Sequence, residues 1–252
     1  MRPPLFEVSV EGADNLLAAQ ESGADRVELC ADVLDGGITP SIGTVRAGLR
    51  LAKIPVCVIV RPRGGDFLYS EAEFESMRQD ILAFGELGVS GVVSGCLTAD
   101  GKVDALRTAE LVELSGGMSF TFHRAFDMVH DVEQALETLI AAGVQRVLTS
   151  GQCATAIEGL ETLKRLGELA GDRVTVMPCG SIRADNVAQV CQRTGLREFH
   201  FAAHRNAAST MVDRNAQVII GTANRSRDWT KVVTDRTVVR VTVDAGHRAY
   251  AL

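Results

Sequence analysis

The segment SGADRVE at residues 22–28 decides the fold, because LGVSGVV at 87–93, AGVQRVL at 142–148 and TGLREF at 194–199 repeat its pattern. Each segment is typical of a helix that ends at a glycine cap and turns tightly into a strand rich in branched residues. The glycines of successive copies are 65, 55 and 52 residues apart, which leaves room for two strand-helix units in each interval. The repeat therefore predicts eight such units in an even series.

Four more strand candidates lie between the repeats, namely LFEVSV, PVCVIVRP, MSFTFHR and VTVMPCG. The connecting segments, such as AEFESMRQDILAFGELG at 72–88, have the hydrophobic period of a helix. Strands that alternate with helices predict a parallel α/β protein, and a doubly wound open sheet is the alternative. The even spacing and the polar residues inside several strands favour closure. We therefore predict a single (β/α)8 TIM-type barrel over residues 1–252.

Composition and charge argue against several classes of partner. The net charge of −6 and the aromatic content of 5% do not favour nucleic acid or an anionic membrane surface. No apolar run approaches the length of a membrane span, and the N-terminus lacks the apolar core of a signal peptide. The six cysteines include no C-x-x-C pair, which is typical of reduced thiols. These features predict a cytoplasmic protein.

The period of two in the strands predicts a polar barrel interior. In the first strand Phe6 and Val8 share one face and Glu7 the other, and the larger apolar set should pack on the helices. The same argument gathers six polar side chains in the interior: Glu7, Glu28, Arg61, His123, Glu198 and His200. One explanation for these polar groups is purely structural: they pair with one another inside the core and bind no ligand. Each buried charge costs several kcal/mol unless it is paired. We favour a ligand or catalytic pocket at the C-terminal ends of the strands, where barrel enzymes have their active sites.

The candidate acid/base groups are four side chains of this interior and of the loop after the fifth strand: Glu7, Glu28, His123 and Asp127. A glutamate would act as the general base and the histidine as the partner acid. No G-x-G-x-x-G segment follows any strand, so we expect no nucleotide cofactor, and proton transfer is favoured over hydride transfer. An isomerase or a lyase that acts on a small phosphorylated or carboxylated metabolite is therefore one hypothesis.

The candidate ligand-binding groups follow several strands: Arg61, Arg63, Arg124, Ser150, Gly180, Ser181 and His200. Arginines grip carboxylates or phosphates with paired hydrogen bonds, and small residues before a helix expose backbone N–H groups to an anion. For Arg63, a salt bridge with Asp66 within its own loop is an equally good explanation. The sequence contains no H-E-x-x-H segment, although a divalent ion among the interior carboxylates and histidines stays open.

Five segments together resemble the CutC family: GADRVELC (23–30), DGGITPS (35–41), RPRGGDFLYS (61–70), TFHRAFDMVHD (121–131) and RVLTSG (146–151). The resemblance covers about residues 5–205 and says little about the tail, 206–252. It implies a cytosolic barrel that forms homodimers or larger homo-oligomers and has a role in copper homeostasis. It also implies Cys30 as a Cu(I) ligand. The other implied cysteine is replaced by Ser9, a poor ligand for Cu(I), so Cys57 is the substitute candidate.

Three hypotheses for function result. The resemblance implies a Cu(I)-binding homeostasis protein, and the polar interior favours an enzyme that acts on a small anionic metabolite. A binding or scaffold protein, whose pocket senses a ligand without chemistry, is the third.

Overall fold

A computed structural model describes residues 3–215, 217–218 and 228–250. The strands are β1 (Leu5–Glu11), β2 (Arg26–Cys30), β3 (Val56–Ile59), β4 (Gly91–Ser94), β5 (Ser119–Phe122), β6 (Arg146–Thr149), β7 (Thr175–Pro178), β8 (Glu198–Ala202), β9 (His204–Ala208) and β10 (Thr230–Thr234). The α-helices are α1 (Ala13–Gln20), α2 (Ile42–Leu51), α3 (Glu71–Leu87), α4 (Ala105–Ser115), α5 (Val132–Ala141), α6 (Leu160–Ala170), α7 (Val187–Thr194) and α8 (Arg236–Tyr250). Short 3-10 helices at Val33–Asp35 and Arg124–Met128 follow β2 and β5.

The first eight strands form a nearly closed parallel barrel surrounded by helices. Their order is β7-β6-β5-β4-β3-β2-β1-β8, and every neighbouring pair is parallel. Strands β7 and β8 also contact each other, although no ladder of hydrogen bonds is assigned between them. This arrangement confirms the predicted (β/α)8 architecture over the open sheet, in which the two edge strands would lie far apart.

The alternation along each strand separates two apolar layers. Phe6, Val27 and Phe199 are fully buried and belong to the main cluster between the strands and the helices. Two small apolar clusters lie apart from that layer, one of Cys30, Cys57, Ile59 and Val93 and the other of Leu148, Met177 and Cys179. Each of these residues has the same parity in its strand as the interior polar groups, so the barrel interior combines apolar and charged side chains.

The segment after β8, which the resemblance left undefined, contributes an insertion and a helix. Strands β9 and β10 form an antiparallel ladder next to the end of β8. Helix α8 then packs against α7 and α1, with Val239 and Val243 buried. The helix closes the outer layer across the β8–β1 side of the barrel.

The helices and thiols of the described chain have two further properties. None of the described helices is both long enough and apolar enough to cross a membrane.

All six cysteines are free, and five of them are buried.

Candidate functional site

A cavity of about 540 Å³ opens at the C-terminal ends of the barrel strands. Eight of the predicted site residues line it: Glu28, Arg61, His123, Arg124, Asp127, Gly180, Ser181 and His200. Glu7, Arg63, Ser150 and the cysteines Cys30 and Cys57 lie outside the lining. The site is therefore assembled from the ends of β2, β3, β5, β7 and β8, as expected for this fold.

His200 connects two glutamates inside the barrel. Its Nδ1 lies 2.8 Å from Oε1 of Glu7, and its Nε2 lies 3.7 Å from Oε2 of Glu28. Glu7 is completely buried and outside the lining, whereas Glu28 and His200 both face the cavity. Glu7 thus cannot contact a ligand in this cavity. The prediction that it acts as a general base is corrected, because it can act only through His200.

The two glutamates are held in different protonation states. Burial raises the pKa of Glu7, but the charges of Arg26 and His200 outweigh it and hold that pKa well below its usual range. Burial raises the pKa of Glu28 and the negative charge of Glu7 raises it further, while His200 offsets only part of this effect. Burial lowers the pKa of His200, but Glu28 and Glu7 raise it above its usual value overall. An ionised Glu7 therefore lies behind His200, and His200 and Glu28 each hold a proton more readily than the free side chains do.

Two arginines that sequence reasoning missed extend this network to the other end of the barrel. Arg26 forms buried salt bridges with Glu7 and with Glu198, the latter at 2.8 Å. Nε of Arg146 lies 2.9 Å from the same carboxylate of Glu198. The period of two could have found Arg26, because it lies two residues before Glu28 on β2. Opposite charges alternate from Arg146 through Glu198 and Arg26 to Glu7, which offsets the cost of burying them.

His123 is a neutral imidazole with one unused hydrogen-bonding atom. Burial and the nearby charge of Arg61 lower its pKa to about 3. The backbone N–H of Ala125 donates to its Nδ1 at 3.3 Å, so Nε2 carries the proton. His123 is 4% exposed and Nε2 has no partner among the described residues, while the Phe67 ring packs 4.8 Å away. The predicted partner acid is therefore a neutral imidazole that can donate from Nε2.

Arg61 brings a positive charge to the cavity wall without a carboxylate partner. Its guanidinium donates to the carbonyl oxygens of Asp35, Gly37 and Gly65 at 2.8–3.0 Å, and its Nε is unpartnered. No carboxylate of the described chain lies within salt-bridge distance of it. Arg61 thus fixes two loops and leaves its charge available to an anion. Arg63 instead has salt bridges to Asp66 at 3.0 Å and to Glu73 at 2.5 Å, so it stabilises its own loop.

Asp127 fastens the loop after β6. Its two oxygens accept from the hydroxyl of Thr149 at 2.6 Å and from the backbone N–H and hydroxyl of Ser150 at 3.0–3.1 Å. Its Oδ2 also accepts from Nε of Arg124 at 2.8 Å. These contacts occupy the carboxylate and the fully buried Ser150. Asp127 is better explained as an anchor than as the predicted acid/base group, and Ser150 as part of that anchor.

The turn after β7 contributes the small residues that the sequence predicts and one arginine that it missed. Gly180 has a φ of 92° and Ser181 a φ of 56°, and both line the cavity. The strained φ of a serine at a cavity wall is typical of a functional loop. Arg183 also lines the cavity, and among the described residues the acceptor for its guanidinium is the carbonyl oxygen of Ile182, at 2.7 Å. Its sequence position, five residues after the end of β7, lies beyond the reach of strand periodicity.

Cys30 and Cys57, the predicted copper ligands, lie beneath the cavity among apolar side chains. Both are 1% exposed and lie in the apolar cluster with Ile59 and Val93. The Cys30 thiol donates to the Val10 carbonyl at 3.2 Å, and burial raises the pKa of that thiol, whereas Cu(I) binds thiolates. In the described ranges no three His, Cys, Asp or Glu side chains are grouped to hold a metal ion. This arrangement does not fit a preformed copper site.

Comparisons with known proteins match most of the chain. A sequence model of the CutC family matches residues 4–205, which include all eight barrel strands. A CutC family protein of Mesorhizobium japonicum is 53% identical over 244 residues, covering 97% of this chain and 95% of the relative. The human copper homeostasis protein cutC homolog is 44% identical over 236 residues, covering 94% and 86%. The crystal structure of CutC from Streptococcus agalactiae has a TM-score of 0.75 at 33% identity, covering 79% of this chain and 98% of that chain.

Proposed function

The chain belongs to the CutC family, and from that premise we propose that it is a barrel enzyme that transfers a proton within a small organic anion, as an isomerase or a lyase does. One observation carries the proposal. His200 and Glu28 line the cavity, and the buried Glu7 holds the far nitrogen of His200 at 2.8 Å. A carboxylate behind a histidine fixes its orientation and stabilises its charged form.

The proposed step is removal of a proton from a carbon next to a carbonyl group. The carboxylate of Glu28, its proton passed to His200, takes the hydrogen. The C–H bond breaks, an O–H bond forms on Glu28, and the electron pair moves to the carbonyl oxygen. The N–H at Nε2 of His123 donates to that oxygen, as a neutral imidazole can where a carbonyl is polarised. In a substrate with a hydroxyl on the attacked carbon, return of the proton to the former carbonyl carbon, together with transfer of the hydroxyl proton to the enolate oxygen, completes an isomerisation. In a substrate with a leaving group on the next carbon, the electron pair returns, a C=C bond forms and the bond to the leaving group breaks, which completes an elimination.

Hydrogen exchange tests the proposal before the substrate is known. The purified protein would be incubated in D₂O with a panel of sugar phosphates, sugar acids and keto acids, and proton NMR would follow the loss of carbon-bound hydrogen. We expect exchange at one carbon of at least one compound, and a loss of about 100-fold or more in Glu28→Gln. Glu86→Gln, an exposed glutamate on α3, is the control and should exchange as the unmodified protein does. Absence of exchange throughout the panel, or full activity of Glu28→Gln, would overturn the proposal.

Cu(I) binding for copper homeostasis is the second candidate. The name of the human relative, a copper homeostasis protein, supports it, as does the location of Cys30 and Cys57 in one small interior cluster. It requires both thiols to lose their protons against the effect of burial, which raises their pKa values. An anaerobic titration of the reduced protein with Cu(I) tests it. Sub-micromolar binding that Cys30→Ala abolishes and the buried-cysteine control Cys191→Ala retains would support copper. Equal binding by both variants would overturn the role of Cys30.

Either function is proposed for a cytoplasmic homo-oligomer. The six free thiols support a reducing compartment, and exposed apolar side chains such as Leu106, at 85% exposure, support self-association. Light scattering after size-exclusion chromatography would give a mass of twice 26.9 kDa or more. A mass of one chain at micromolar concentration would contradict the oligomer.

A further inference from the structure

Two guanidinium groups without carboxylate partners lie on opposite walls of the cavity. Arg61 follows β3 and Arg183 follows β7, and these strands are four positions apart in the barrel order, which is half of the circumference. Both side chains line the cavity. The guanidinium nitrogens of both donate to backbone carbonyl oxygens, and in the described part of the chain no carboxylate lies within 4 Å of either. Each wall therefore carries a positive charge that no described carboxylate contacts.

The acid/base groups occupy the other two walls. Glu28 and His200 come from β2 and β8, on either side of β1, and His123 comes from the end of β5, across the barrel. Nε of Arg61 and Nε2 of His123 are buried polar atoms to which no group of the described residues hydrogen-bonds, in residues that are 6% and 4% exposed. Because an unsatisfied buried donor costs about 1–3 kcal/mol, such atoms indicate an acceptor that arrives with a ligand.

We propose that the ligand is a short compound with one anionic group at each end, spanning the cavity from Arg61 to Arg183. Its middle carbons then lie between Glu28 and His123, where the proposed proton transfer takes place. This inference rests on the proposed function for the location of the ligand, and it adds the class of compound. Arginine binds both carboxylate and phosphate with paired hydrogen bonds, so a sugar acid that carries a terminal phosphate meets both ends.

The end at Arg183 suits the phosphate. Gly180 and Ser181 place left-handed backbone beside it, which brings the main chain close to a ligand. His204 also lines this part of the cavity, and the charge of Arg183 contributes to lowering its pKa, although burial is the larger cause. The end at Arg61 is more enclosed, since Phe67 packs 5.1 Å from its guanidinium, and it suits the planar carboxylate.

Calorimetric titration with three compounds of one carbon length tests the inference. The probes are 6-phosphogluconate, which has both anionic ends, gluconate, which has only the carboxylate, and glucose 6-phosphate, which has only the phosphate. We expect 6-phosphogluconate to bind at least tenfold more tightly than either single-ended compound. Arg183→Ala should lower the affinity for 6-phosphogluconate at least tenfold and leave that for gluconate unchanged. Arg193→Ala removes an exposed arginine of α7 that pairs with Glu161 outside the cavity, and this control should leave all three affinities unchanged.

Three results would overturn the inference: equal affinity for the three probes, an Arg183→Ala variant that binds as tightly as Arg193→Ala, or no binding of any probe. The hydrogen-exchange experiment shows whether the two-ended ligand or the proposed proton transfer is wrong. Glu28-dependent exchange of a compound with a single anionic group would support the proposed proton transfer and contradict a ligand with two anionic ends. Tight binding of 6-phosphogluconate that depends on Arg183, without exchange of any compound, would support the site for two anionic ends and contradict the proposed proton transfer.

Discussion

Glu7 and Glu28 occupy the same barrel interior, yet their neighbours give them different roles. Glu7 contacts Arg26 and His200 and stays ionised, while Glu28 is buried close to another negative charge and tends to keep its proton. His200 lies between them and is charged more readily than a free histidine. At the scale of single residues, the proposed chemistry depends on one ionised carboxylate that lies behind His200 and outside the cavity lining.

Replacement of Glu7 by glutamine tests this relation. The amide keeps the shape of the side chain and removes its charge, so the pKa of His200 should fall, because burial lowers it and one of the two opposing carboxylates is gone. NMR of the imidazole nitrogens as a function of pH measures this directly. Glu86→Gln, on the outer surface, should leave the titration of His200 unchanged. An unaltered pKa of His200 in Glu7→Gln would contradict the positioning role.

Helix α8 lies in the segment for which the sequence allowed few expectations, yet it packs closely against the barrel. Its buried face contacts the barrel directly, and Gly246 lies against the Phe6 ring so closely that a Cβ atom at Gly246 would overlap it. Phe6 itself stacks on Phe199 with ring centroids 5.4 Å apart. The C-terminal helix is therefore fitted to the β1–β8 contact that joins the two ends of the strand series.

Gly246→Ala should consequently destabilise the protein by about 2–3 kcal/mol, since an extra methyl group in a tightly packed core forces its neighbours apart. Gly43→Ala in α2 is the matched control. Its new Cβ would meet nothing closer than Oγ of Ser41 at 3.8 Å, and alanine favours a helix by up to about 1 kcal/mol over glycine. Urea unfolding followed by circular dichroism measures both. Equal stability of the two variants would mean that α8 does not dock as described.

Over the whole molecule, one chain of alternating charges runs through the barrel from Arg146 through Glu198, Arg26 and Glu7 to His200, and Glu28 lies next to its end. Such a network stabilises the fold only while each member keeps its charge. Its pH dependence has a definite sign. The lowered pKa of Glu7 contributes stability above the ordinary value of 4.5, and this contribution is lost as the pH falls toward 2. The raised pKa of His200 contributes below 6.5 and is lost as the pH rises through its folded value.

The free energy of unfolding of the unmodified protein should therefore fall as the pH drops below about 4.5. Glu7→Gln should be less stable at pH 7 by about 3 kcal/mol, because Arg26 loses a buried partner. The difference between the two proteins should narrow as the pH decreases, since the unmodified protein then loses the same charge. Urea titrations at several pH values between 7 and 3 measure this. A difference that stays constant over that range would argue against an ionised Glu7.

Strand periodicity and turn chemistry were enough to predict the barrel and part of its site. Glycine caps, strand alternation and even spacing are local properties, and they gave the (β/α)8 architecture and the polar interior with Glu28, His123 and His200. They could not assign depth along the barrel axis. Parity places Glu7 and Glu28 on the same inner face, but the strand register aligns Glu28 with Ser9, two residues nearer the mouth than Glu7. Only that register removes Glu7 from the cavity.

The sequence by itself determined which elements form, in what order, and which face of each strand points inward, because these follow from contacts between residues close in the chain. The tertiary structure alone decided the partners. In it, Arg61 donates to three carbonyl oxygens and Asp127 accepts from the loop after β6. Arg183 lies at the cavity wall, and α8 packs on Phe6. Each of these depends on the stagger of strands and the path of loops, which are set by packing between residues distant in sequence.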